Sequence, residues 1–389
     1  MNTNKKRVLL TGGRAPATLD LARKFKESGH EVYVAESIKH HLCQYSNSVT
    51  ESFTVPSPAR EKAAYINALS SLIQKYQIDL IIPTCEEVFY ISSEIEKLNL
   101  LTKVFTDKIN ILHQLHNKFS FNKMIENTGI SVPKTVLISS LDEYESLVDE
   151  GKITYPHVLK PVYSRFSSQT KFVFTRENID IDILTQRPWV AQTYIQGELV
   201  CTYSICYEGK ILANIFYSNH YTAGEKGAGI SFKAIENNKL LQWVSAFVKD
   251  INYTGQIAFD IILASDDSLW PIECNPRATS GIHLFSKSQN ISDAFLFNTV
   301  ISNTSKSKGH PMLSLAMLIY GLPGVRSLAS FLKWVKCFFV GKDVIFRWSD
   351  PLPFVAQFLA VLNFLKISRK QNISIIEATT HDIEWNGNL

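Results

Sequence analysis

The sequence predicts a parallel α/β domain, then an α+β block, then a small, mainly helical C-terminal region. Three observations carry this reading. Between residues 7 and 84 short apolar runs alternate with helix-patterned segments, as in strands joined by crossover helices. From Pro133 to about residue 285 strand-like runs dominate. From about residue 310 the chain becomes apolar and aromatic.

The first unit reads as strand, turn, helix, strand. RVLLT is a β run and Gly12-Gly13 a tight turn. TLDLARKFKESGH is a helix that stops at Gly29, and EVYVAES is the second strand. The helix EKAAYINALSSLIQKYQ then leads into the strand IDLIIPT. In parallel sheets ligands meet the loops beyond the strands' C-terminal ends. Two such loops are Gly12-Gly13-Arg14 and Thr84-Cys85-Glu86-Glu87. The first lacks both the G-x-G-x-x-G spacing and a Walker A pattern, so it reads as a strand-to-helix turn. Glu86 and Glu87 have two readings: acids favoured by the dipole of the helix they open, or contacts to a cationic group of a substrate.

One helical segment is expected from Ile109 to Gly129. Strands then follow as KTVLIS, HVLKPV, TKFVFT, PWVAQTYI, ELVCTYSICYEG, KILANIFYSN, ISFKAI, GQIAFDIILA and LWPIECNP, with the helix NKLLQWVSAFVKDIN among them. Glu208-Gly209 predicts a hairpin turn between two of these strands. The polar run SNTSKSKGH reads as a linker.

A chain of 389 residues exceeds one ordinary core, and the pattern divides it at 1–108, 109–305 and 306–389. Apolar residues are 45% and charged residues 20%, the balance of a globular protein. The net charge of +4 comes without a Lys/Arg stripe, so no nucleic-acid partner is expected. The six cysteines form no C-x-x-C pair and read as buried thiols in a reducing, cytoplasmic setting. No secretory signal is expected, nor a run of ~18 uninterrupted apolar residues.

The chemistry concentrates in AFDIILASDDSLWPIECNPRATSG. Two strands flank the turn at residues 264–268. Asp260 lies on the first, and Glu273 and Asn275 share one face of the second because side chains repeat every two residues. Two carboxylates and a carboxamide make an all-oxygen site of the kind Mg²⁺ (or Mn²⁺) takes, completed by water and phosphates. The alternative, polar residues facing solvent, fits poorly in an apolar strand. Lys160 ends the buried run VLKP, where a phosphate is a fitting partner for its ammonium. The segment WVAQTYIQGELV suits an adenine edge, with Glu198 placed for ribose hydroxyls. Gly224, Gly227 and Gly229 mark a candidate lid.

In this order the pieces resemble the ATP-grasp superfamily over residues 5 to 300. The resemblance includes the Rossmann-like pre-ATP-grasp domain seen before the grasp in biotin carboxylase and carbamoyl-phosphate synthetase. It implies a grasp of two α+β subdomains, with Lys118 and Lys160 on the nucleotide phosphates. Gln192, Thr193, Tyr194 and Ile195 would form the adenine hinge and Glu198 the ribose ligand. Asp260, Glu273 and Asn275 would hold the metal. Arg277 would contact the transferred phosphate or the substrate carboxylate. Glu86, Glu87 and Arg14 are expected on the substrate side. The loop after Lys160 departs from the family in lacking glycines, and Arg165 is expected to substitute. ATSGIHLF, after Arg277, matches no particular ligase or carboxylase.

The activity implied is that of an ATP- and magnesium-dependent ligase. It activates a carboxylate as an acyl phosphate and joins it to an amine, such as an amino acid or peptide-like metabolite. Carboxylase-type or kinase chemistry, or a non-catalytic nucleotide-binding regulator, are the competing readings. For the apolar C-terminal stretch a helical domain packed on the grasp or forming a homodimer is preferred over a surface that meets a membrane or a lipid-like substrate.

Overall fold

The computed structural model describes residues 5–163, 169–176, 187–223, 228–302 and 310–387. Its N-terminal part is a five-stranded, all-parallel sheet. Arg7–Thr11 runs through the centre, between Glu31–Glu36 and Leu80–Ile82, with Glu51–Thr54 and Lys103–Val104 at the edges. Alternation assigns the two faces. Val8, Leu10, Val34 and Ile82 pack on Leu21 and Phe25 of the helix Pro16–Glu27. Leu9, Tyr33 and Ile81 pack on Tyr65, Leu69 and Ile73 of the helix Lys62–Tyr76. Both edge strands went unread in the sequence. They are short and partly exposed, so no apolar run marks them.

The central sheet has seven strands. Leu269–Asn275 forms one edge, followed by Gly255–Leu263, Glu198–Tyr207, Lys210–Thr222 and Gly229–Ile235 in antiparallel order. Pro311–Met312 and Lys342–Asp343 complete it, so the segment beyond residue 306 adds strands to the preceding part. Glu208 and Gly209 both take positive φ in the hairpin turn the sequence predicts. A smaller antiparallel sheet orders Thr135–Ile138, Trp189–Thr193, His157–Pro161 and Lys171–Val173.

The helix expected from Ile109 to Gly129 is instead two helices, Ile109–His116 and Lys118–Ile125. Asn117 separates them. Its side chain accepts from the Phe119 and Ser120 N–H groups and caps the second helix. Lys118 therefore opens a helix.

Beyond residue 310 the chain folds as the helices Leu328–Val340, Leu352–Gln371 and Ile375–Ala378. Leu352–Gln371 is long and apolar enough to cross a membrane by length and composition, although little of it is buried. The segment is bolted to the first domain by two buried ion pairs. Arg23 holds Asp350 at 2.9 Å, and Arg14 lies between Glu36 and Asp382 at 2.5 and 2.6 Å.

The second clasp has a measurable consequence. Burial opposes the Asp382 charge, yet Arg14 and the Ser37 hydroxyl hold its carboxyl low, to about 2. A depressed carboxyl stabilises the fold above its unfolded pKa, and that stability is lost as pH falls through the folded value. Asp382→Asn should cost about 2 kcal/mol in urea unfolding at neutral pH. The gap to wild type should close as pH drops from about 4 towards about 2. Asp267→Asn, exposed in a hairpin turn at a positive φ that Asn also tolerates, is the control, with no change expected at neutral pH.

Candidate active site

The hairpin brings its three oxygen-bearing side chains to one face. Asp260 pairs with Glu273 across the two strands, and Asn275 pairs with Ala258. Residues directly opposite each other share a face, as do residues two apart. Next to the first pair the register slips, so that Ile261 faces Pro271 and Ile272 becomes an extra residue. Burial and the neighbouring Glu273 charge push the Asp260 carboxyl up. For Glu273 burial works the same way but is outweighed by Lys118, Lys160, His116 and Arg277, which hold it low.

The cations gather around this pair. Lys118 is buried at the first turn of its helix, with Nζ 3.6 Å from Glu273 Oε1. Lys160 ends the strand His157–Pro161. Its Nζ donates to Gln192 Oε1 at 2.9 Å and to the carbonyl of the bulged Ile272 at 3.0 Å. The bulge thus aims a backbone acceptor at the ammonium. Burial pulls the Lys160 ammonium down to about 8, with Lys118 adding to the effect and Glu273 and Asp260 opposing it. Arg277 donates from Nη2 to Asn275 Oδ1 at 2.9 Å. Its Nε lies 3.9 Å from Glu86 Oε1.

The two acids of the second loop diverge. Glu86 is fully buried and points toward Arg277 and His116, 3.9 Å from each. Its other oxygen accepts from the Trp385 backbone N–H at 3.0 Å. Glu87 turns into its own loop, where Oε1 accepts from the Thr11 hydroxyl and from the Thr84 and Cys85 N–H groups. It is the first residue of the helix Glu87–Ser93. Gly12 has positive φ, and a Cβ there would lie 2.6 Å from Thr84 Oγ1, so the loop packs on it too closely for a side chain.

Arg14, expected on the substrate side, is buried among acceptors of the chain itself. Its guanidinium is spent on Glu36, Ser37, Asp382 and the Thr379 carbonyl. Gln192, expected in the adenine hinge, is a buried strut: it accepts from Lys160 and donates to Thr135 Oγ1 at 2.9 Å. Tyr194 and Ile195 follow the strand end and are half-buried. The Tyr194 N–H donates to the Pro156 carbonyl, and its ring meets the edges of Phe172 and Phe174. Glu198 is exposed at the start of its strand. Arg165, Gly224 and Gly227 lie outside the described residues. Gly229 is where the strand passes the Asn219 carboxamide, which a Cβ would strike.

Three contributors were missed in the sequence: His116, Tyr163 and Trp385. The His116 ring packs on Phe89 and Tyr163 beside Glu86. Tyr163 is bonded to His113 and to Asn117 Nδ2. For the histidine a signal existed, since His116 and Lys118 flank a helix-capping Asn. No local pattern could bring Trp385 to residues 86–90.

The donor set fits a divalent cation. Two carboxylates face each other in a partly buried site, and a dication would relieve the repulsion that raises Asp260. Among the described residues no three His, Cys, Asp or Glu side chains are grouped to hold a metal. A cation here would therefore also need Asn275 and ligands from outside the protein, the manner in which Mg²⁺ binds with phosphates.

Residues 115–281 match a family model described as an ATP-grasp domain. The carbamoyl phosphate synthase large chain of Saccharolobus islandicus is 23% identical over 188 residues, covering 45% of this chain and 18% of that protein. The chain thus matches under a fifth of that relative's length. Among solved structures, an ADP complex of N5-carboxyaminoimidazole ribonucleotide synthetase superposes with TM-score 0.65 at 14% identity, covering 86% of this chain and 96% of that one. An L-amino acid ligase from Bacillus licheniformis gives TM-score 0.59 at 16% identity, covering 76% and 74%. The structural likenesses establish the fold.

The strut role of Gln192 can be measured without any ligand. Gln192→Leu should lower stability by about 2 kcal/mol, because it strips a buried ammonium of an acceptor. In the Gln192→Leu/Lys160→Met double variant the loss should be less than the sum by at least about 1 kcal/mol. Strict additivity in urea unfolding would show that Gln192 does not hold Lys160.

Proposed function

We propose that this chain, whose residues 115–281 are an ATP-grasp domain, is an ATP- and magnesium-dependent ligase joining a carboxylate to an amine. The observation that carries the reading is the Asp260–Glu273 pair on one strand face with Lys118, Lys160 and Arg277 converging on it. Phosphoryl transfer asks a protein for positioning and charge neutralisation rather than a nucleophilic side chain. Mg²⁺ or Mn²⁺, when bound, would offset the negative charge of the phosphates. Asp260, Glu273 and Asn275 are the residues that would hold it.

Lys118 and Lys160 meet the phosphates, and Gln192 fixes the direction of Lys160. Tyr194 and Ile195 border the adenine, and Glu198 accepts from the ribose. A substrate carboxylate oxygen attacks the γ-phosphorus, ADP leaves, and an acyl phosphate forms. An amine then attacks the acyl carbon, inorganic phosphate departs, and the nitrogen gives up a proton to solvent. Arg277, oriented by Asn275 and Glu86, contacts the transferred phosphate or the substrate carboxylate. Glu86 supplies negative charge toward the amine. Arg14 and Glu87 support the loops rather than touch substrate. The six free cysteines suit a reducing, cytoplasmic setting.

An ADP-release screen over pairs of carboxylates and amines, followed by mass spectrometry, identifies the reaction. Release that needs both partners supports the ligase. Release with a carboxylate or with bicarbonate and no amine points to kinase or carboxylase chemistry. With the best pair, Glu273→Gln should lower turnover about 100-fold or more, with wild-type circular dichroism at the assay temperature. Glu86→Gln should raise KM for the amine and leave KM for ATP nearly unchanged. A rise confined to ATP would remove Glu86 from the amine side.

A further inference from the structure

The helix Leu352–Gln371 is packed on one side only. Pro353, Ala356, Gln357 and Ala360 are buried, and the Asn363 carboxamide donates to the Lys39 carbonyl. At 100° per residue these buried positions occupy one half of the helix. The other half presents Leu352, Val355, Phe358, Leu359 and Leu362, with exposures of 59, 58, 48, 42 and 54%. Trp348, just before the helix, is 89% exposed. Farther along the same half stand Lys366, Arg369 and Lys370, all exposed. The solvent side is therefore apolar for three turns and cationic for the rest.

The helix itself carries charge of one sign, since Leu352–Gln371 contains no Asp or Glu. From residue 326 to 370 the exposed ionisable side chains are Arg326, Lys333, Lys336, Lys342, Lys366, Arg369 and Lys370. The two carboxylates of that stretch are turned inward. Asp343 accepts from the N–H groups of Ser314, Ile345 and Phe346, and Asp350 is buried against Arg23. A second copy of this helix offers no carboxylate to meet Lys366, Arg369 and Lys370. An anionic lipid surface does, and its acyl boundary takes the leucines, Phe358 and Trp348. The contacts of the buried half tie the helix to the first domain, so it would lie along such a surface.

We propose that this face is a peripheral docking surface for a bilayer bearing anionic headgroups. The test is co-sedimentation of the full chain with vesicles of phosphatidylcholine alone or with about one-third phosphatidylglycerol. The expected result is binding to the anionic vesicles, little to the neutral ones, and release by high salt. Val355→Glu/Leu362→Glu and, separately, Lys366→Glu/Arg369→Glu/Lys370→Glu should each weaken binding at least about tenfold, with wild-type circular dichroism and melting. Absence of binding by the wild type would overturn the proposal, as would binding that neither set weakens. Protein that resists alkaline carbonate extraction would make the helix a membrane span instead. A lipid-free dimer in analytical ultracentrifugation, dissolved by Val355→Glu/Leu362→Glu, would make a second copy the occupant.

Discussion

Asp260 and Glu273 face each other on neighbouring strands, two like charges where a β-sheet would ordinarily place apolar residues. Such a pair is costly to bury alone, and much of the surrounding structure answers that cost. Lys118 reaches it from a helix start, Lys160 from a strand of the smaller sheet, and Arg277 from the segment after the hairpin. These elements come from separate stretches of chain, so the cluster forms only when both sheets and the linking helices are docked. Charge balance and docking of the two sheets are one event here. The bulge at Ile272 shows how closely the backbone is fitted to it, since the extra residue supplies an acceptor for Lys160.

A second layer of support comes from the end of the chain. The Trp385 N–H holds Glu86, and the Tyr90 hydroxyl donates to the Glu384 carbonyl. Asp382 closes on Arg14 a few residues earlier. The last described stretch thus runs from the turn after the first strand to the edge of the charged cluster, so loss of either anchor should be felt at the other.

Local patterns explain what was legible in the sequence. Glu273 and Asn275 lie two apart in an apolar strand, and that period fixes their face wherever the strand pairs. Glu208-Gly209 is a turn by its own backbone preferences. The parallel domain follows from its alternating apolar runs. The illegible parts depend on residues distant in sequence. Glu86 and Glu87 look alike as neighbours, and only the return of Trp385 and the position of Arg277 separate their roles. Arg14 sits in a loop typical of ligand contact, yet Asp382 claims its guanidinium. Gln192 lies in a hinge-like segment but alternates inward, where Lys160 needs an acceptor. The break at Asn117 was hidden because both flanking helices carry the same apolar pattern.

On the proposed function, Asp260, Glu273 and Asn275 hold a divalent cation together with nucleotide phosphates. Titration of Mn²⁺, followed by the electron paramagnetic resonance signal of the free ion, tests it most directly. Uptake by the wild-type chain should depend on added ADP or ATP, because the protein supplies only part of the coordination shell. Asp260→Asn/Asn275→Leu should weaken that uptake at least about tenfold. Equal nucleotide-dependent uptake by wild type and variant would contradict it.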